Sequence, residues 1–108
     1  MEVKSFDKEG VMVFVVAGEI NISTSPELKK QFEKQPAKKV VVDLEKVNYI
    51  DSSGLATLVE ILKKTKSQGG SLGLSGLSDK VKSLFEITKL DKLFLVLKTQ
   101  EEAIVRVK

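Results

Sequence analysis

The sequence predicts an α/β fold: a mixed, mostly parallel sheet of about five strands with about four helices. Three observations carry this. Mainly apolar runs, β-branched at 40–44, recur at residues 11–17, 40–44 and 93–97, each of strand length. Between them the apolar spacing changes, as in Leu55, Leu58, Val59 and Leu62, to i, i+3, i+4, i+7, the period of a helix with one buried face. Strands that alternate with helices imply parallel pairing through right-handed crossovers.

In chain order, a weak strand at residues 2–7 meets the turn Lys8-Glu9-Gly10 and then the unbroken apolar run 11–17, which reads as a buried strand. A hairpin would join these two. Residues 18–22 leave the strand. Ser25-Pro26-Glu27 predicts a helix start, with Ser25 as cap and Pro26 in the first helical position. Leu28 and Phe32 supply its apolar face, and it stops before Pro36. Strand 40–44 is followed by a connector, 45–50, and by a helix after Ser53 that Gln68-Gly69-Gly70 ends.

Residues 71–75 alternate Ser or Gly with Leu, a strand with one face of little bulk. Ser78-Asp79 caps a helix carrying Val81, Leu84 and Phe85. After strand 93–97, Thr99 and Glu102 have the spacing of a capping box, and Ala103, Ile104 and Val107 would pack the last helix. These elements account for nearly all 108 residues, so 1–108 reads as one domain.

Composition narrows the function classes. The chain is 42% hydrophobic and 31% charged with a net charge of +3, as in soluble globular domains. Basic residues are interleaved with acidic ones, and the longest basic runs are pairs such as Lys38-Lys39. That is a solvated surface rather than a nucleic-acid footprint. The five Phe read as core. Cys and His are absent, which excludes disulfides, thiol nucleophiles, imidazole catalysis and Cys/His zinc sites. Gly69 to Gly76 lacks the Gly-Lys-Ser/Thr end of a P-loop and leads from a helix into a strand, the wrong polarity for a phosphate cradle. No enzyme activity and no cofactor are implied. No apolar run approaches the ~18 residues of a membrane span, and the start of the chain lacks a signal-peptide shape. The expected location is cytoplasmic, without membrane attachment.

The most informative stretch is Asp51-Ser52-Ser53-Gly54, at the predicted start of the helix that follows residue 50. Ser and Asp here are ordinary helix caps. Two adjacent serines exceed what one cap position uses, however, and Gly54 suggests room for a partner beside them. A phosphate at such a helix start would meet unpaired N–H groups and the positive end of the helix dipole. Its added charge would act mainly on whatever docks there.

These residues resemble the STAS domain family, in particular bacterial anti-sigma factor antagonists. The similarity is carried by Gly18-Glu19-Ile20, by Val40-Val41-Val42-Asp43-Leu44 leading to Ile50-Asp51-Ser52-Ser53-Gly54-Leu55, by Gln68-Gly69-Gly70, and by Val81-Lys82-Ser83-Leu84-Phe85. The resemblance implies a STAS fold and a partner switch. An anti-sigma factor with serine kinase activity would be bound by the unphosphorylated protein, freeing a sigma factor. The same kinase would phosphorylate the second serine, Ser53, with Ser52 as second choice, and a serine phosphatase would reverse it. The partner surface would combine Asp51, Ser52, Ser53, Gly54 and Leu55 with Gly18, Glu19, Asn21, Ser23 and Thr24. Family members often carry an acidic residue where this chain has Asn21, which is either a simple turn residue or part of the site. The alternative is a constitutive STAS scaffold or assembly subunit without a phospho-switch.

Overall fold

The computed structural model describes all 108 residues. The strands are β1 (Glu2–Lys8), β2 (Val11–Ile20), β3 (Lys39–Ile50), β4 (Ser71–Ser75) and β5 (Leu95–Leu97). The helices are α1 (Ser25–Lys34), α2 (Ser52–Ser67), α3 (Asp79–Ile87) and α4 (Gln100–Val107). One sheet runs in the order β1-β2-β3-β4-β5. β1 and β2 form the antiparallel hairpin, and every later pair is parallel. No helix is long and apolar enough to cross a membrane.

Neighbouring strands follow one another in sequence, so right-handed crossovers carry α1, α2 and α3 onto the same face. There they close the main core with Phe14, Val16, Val42, Leu44, Leu58 and Phe85. The opposite face is covered by α4, whose Ala103, Ile104 and Val107 pack on Val11, Val13 and Val41. Val41 faces α4 while its neighbours Val40 and Val42 face the main core, the period-2 alternation of a strand buried on both sides. The face of β4 with little bulk has a purpose here. A Cβ on Gly73 would lie 3.2 Å from Val107 Cγ1 and 3.7 Å from Ala103 Cβ. Buried Asp43 then locks α4 down, accepting from Gln100 Nε2 at 2.8 Å and from the Glu45 N–H at 2.9 Å.

Several sequence expectations need correction. β3 is not a strand at 40–44 plus a connector; it continues through Ile50. Its register against β2 breaks twice, between Val15 and Ala17 and between Gly18 and Glu19. Each break adds one residue on the β3 side, so beyond Leu44 the buried residues are Val47 and Ile50, three apart. Such bulges hide a strand from a search for alternation. β2 likewise runs past residue 17 to Ile20, with Gly18 at φ +101° beside the second break. Ser25 does not cap α1: Thr24 holds that position, and Ser25 is the first helical residue. β5 is shorter than 93–97, because Leu90–Lys92 form a 3-10 turn before it. Phe6 is 42% exposed on β1 and is not core. The caps Ser78 and Thr99 stand as read, accepting from the Val81 and Glu102 N–H groups.

Candidate functional site

The candidate site lies where β2 and β3 end and α2 begins. The two bulges lengthen β3 so that its end, Ile50, pairs with Ile20, well beyond the last residue of β3 that pairs with β4, Asp43. The chain then turns at Asp51 into α2. Asp51 is the N-cap, in extended backbone, and α2 starts at Ser52, two residues earlier than the sequence suggests. Neither serine caps. Asp51 Oδ1 accepts the Gly54 N–H at 2.9 Å, the usual bond from a cap to the third helical residue. Its Oδ2 accepts the Ile22 N–H at 3.1 Å, and the Asp51 N–H donates to the Ile20 carbonyl at 3.1 Å. One carboxylate thus fixes the helix start and ties the loop after β2 to it.

Because Asp51 takes the cap, both serine hydroxyls stay out of it. Ser52 is exposed and Ser53 half-buried. The N–H groups of both belong to the first turn, where no intrahelical acceptor exists. Gly54 does not open space for a partner, contrary to the sequence expectation. It is buried, and a Cβ there would lie 2.5 Å from the Ile20 carbonyl oxygen and 2.8 Å from Ile50 Cγ2. The glycine lets α2 seat directly on the ends of both strands.

The loop from β2 to α1 is internally bonded. Asn21 Oδ1 accepts from the Ser23 and Thr24 N–H groups at 2.9 and 3.1 Å. Thr24 Oγ1 accepts the Asn21 N–H and donates to the Glu19 carbonyl, both at 2.8 Å. Asn21 therefore has a clear turn role. An Asp could make the same two acceptances but would set a carboxylate oxygen where Asn21 Nδ2 donates to Glu19 Oε1 at 3.2 Å, a repulsion that exposed Glu19 relieves by turning into solvent. Asn21→Asp is accordingly expected to change stability by less than about 0.5 kcal/mol, as for surface changes generally. Equilibrium urea unfolding checks this; a larger loss would show that the Glu19 contact matters.

The structure therefore brings Asp51, Gly54, Ile20 and Ile22 into direct contact, with Asn21, Ser23 and Thr24 in the adjoining turn. Glu19 joins that turn through its bonds with Asn21 and Thr24, whereas Gly18 is set back within β2, where a Cβ would meet the backbone of Met1 at 3.3 Å. Leu55 is buried in the main core. Sequence reasoning missed a groove of about 540 Å³ beside the helix start. β3 and α2 contribute Tyr49, Ser52 and Leu55 to it, and α3 contributes Lys80, Leu84 and Ile87. Ile87 is 79% exposed, Ile22 in the neighbouring loop 73%, and Tyr49 43%. One signal was available: Ile87 falls outside the Val81, Leu84, Phe85 stripe that buries α3.

This arrangement, a sheet with three helices on one face and an Asp-capped helix start beside the β2–α1 loop, defines the class. Residues 5–103 match the STAS domain model, and the chain belongs to the STAS domain family. Its relatives include the anti-sigma-B factor antagonist of Listeria monocytogenes, 36% identical over 105 residues, covering 94% of this chain and 91% of that one. The crystal structure of an anti-sigma factor antagonist from Mycobacterium paratuberculosis superposes with a TM-score of 0.88 at 28% identity, over 98% of this chain and 92% of that chain. Bacillus SpoIIAA in its phosphorylated form shares the fold, with a TM-score of 0.74 at 18% identity over 99% of this chain and all of that one.

Proposed function

We propose that this protein is an anti-sigma factor antagonist that binds an anti-sigma factor through the α2 start and the β2–α1 loop, and that phosphorylation at Ser52-Ser53 ends the binding. The observation that carries the reading is the division of labour at the helix start. Asp51 does the capping and loop tying, so the serines are spare to the fold. Relatives named as anti-sigma factor antagonists support the partner class.

The anti-sigma factor, acting as a serine kinase, would transfer the γ-phosphoryl group of ATP to a serine Oγ. The new O–P bond replaces the bond to the β-phosphate, ADP leaves, and the hydroxyl proton passes to the kinase. A phosphatase would return the serine by hydrolysis. The family motif points to Ser53, whereas exposure favours Ser52. A phosphate carries about −1.5 to −2 charges. The first-turn N–H groups and the helix dipole accommodate that charge, so the fold survives while a docked partner faces a new, hydrated dianion.

The test is intact mass and phosphosite mapping after incubation with native cell extract and ATP. One phosphate is expected, on Ser52, and it is absent from Ser52→Ala. The phosphorylated protein should bind the anti-sigma factor at least about tenfold more weakly, or about 1.4 kcal/mol. A phosphate on Ser53 keeps the switch and moves its acceptor by one residue. No phosphate, in an extract that phosphorylates a known substrate, overturns the switch in favour of a constitutive scaffold.

A further inference from the structure

We propose that Lys80 is the intrachain partner of the phosphate on Ser52, and that their pairing draws the Lys80 side chain across the groove beside α2. The inference rests on the switch reading above and adds a device to it. Asp51 and Lys80 are the only charged side chains that line the groove, and Ser52 lines it while Ser53 does not. Asp51 is already committed, each oxygen to a backbone N–H. Lys80 makes none of the ion pairs in the chain. Its Nζ rests 5.9 Å from the centroid of the Tyr49 ring, a weak contact at an exposed site.

A phosphate dianion is a stronger partner than a ring face, because charge-assisted hydrogen bonds to phosphate oxygens exceed a cation–π contact. The flexible four-carbon stem of lysine can follow it. In the unphosphorylated protein the ammonium rests at Tyr49 and the apolar floor of the groove beside half-buried Leu84 is open. In the phosphorylated protein the stem and the new ion pair span that floor. Phosphorylation then does two things at one place: it adds charge and it covers apolar docking surface. Asp79 and Lys82 flank Lys80 on α3, exposed and outside the groove lining.

The experiment uses full-length chain with phosphoserine installed at position 52 during translation, so its outcome does not depend on any kinase. ³¹P NMR follows the second ionisation of the phosphate, ordinarily near pH ~6, in the parent phosphoprotein, in Lys80→Gln and in the control Lys82→Gln. The parent and Lys82→Gln should titrate roughly half a unit below Lys80→Gln, the shift an exposed ion pair supports. Lys80→Arg should restore the lower value. The chain has one Tyr and no Trp, so fluorescence reports Tyr49 alone. Its emission should change on phosphorylation in the parent and stay constant in Lys80→Gln. Equal titration of the parent and Lys80→Gln, or an equal shift in Lys82→Gln, overturns the pairing. Failure of cell extract to phosphorylate the chain bears on the switch, and leaves this result standing as chemistry of the site.

Discussion

Gly54→Ala is expected to lose about 2 kcal/mol of stability, although alanine is the better helix former. In an exposed helix interior the change would gain about 1 kcal/mol. Here the new Cβ would lie 2.5 Å from the Ile20 carbonyl oxygen, 2.8 Å from Ile50 Cγ2 and 2.9 Å from Ile20 Cγ2. The nearest of these is backbone, paired in the sheet and accepting from the Asp51 N–H, so it cannot rotate aside as a flexible side chain can. Overpacking of this kind costs about 1–3 kcal/mol or more, and the clash outweighs the propensity gain. With a urea slope of about 2 kcal/mol per molar, the unfolding midpoint should fall by roughly 1 M. The variant should also bind its partner more weakly than its folded fraction explains, because relief of the clash moves the loop that carries Ile22 away from Ser52. A midpoint equal to or above that of the parent would mean that α2 is not seated on the strand ends as described.

Asp51→Ala should cost a similar amount for a different reason. Loss of the cap accounts for about 1 kcal/mol. Loss of the Ile22 bond, a hydrogen bond to a charged acceptor, adds about 1 kcal/mol, below the usual 1.5–3 because exposed Ile22 regains water. Asp51→Ser separates the two parts. A serine can cap but is too short to reach Ile22 as well, so it should recover about half the loss. Amide exchange adds a local reading: the Ile22 N–H should exchange faster in both variants, the Gly54 N–H only in Asp51→Ala. Parent-like stability and Ile22 exchange in Asp51→Ser would show that other contacts hold the loop.

Both predictions concern residues that were visible in the sequence for reasons the structure revises. Asp-Ser-Ser-Gly before an amphipathic run marks a helix start by local chemistry alone, and the start is there. The division of roles within it depends on a partner 29 residues away: the Ile22 N–H engages the second carboxylate oxygen, which explains why the residue is Asp and not another capping serine. Gly54 is explained only by Ile20, and nothing in a linear reading joins them. The end of β3 was lost for a related reason. Its bulges exist only opposite β2, and once two residues face one, the period-2 signal is gone.

The sequence by itself determined the order of strands and helices, the apolar faces of the helices, the caps at Ser78 and Thr99, and the serine pair at the head of α2. These are local properties, set by periodicity and by hydrogen bonds that close within a few residues. Only the tertiary structure decided which of the two serines is the more exposed, what Gly54 is for, and that Tyr49, Lys80 and Ile87 share a groove with Ser52. Exposure and proximity across a sheet arise from packing between distant segments, and a side chain left out of the core is recognised only once the core has been closed.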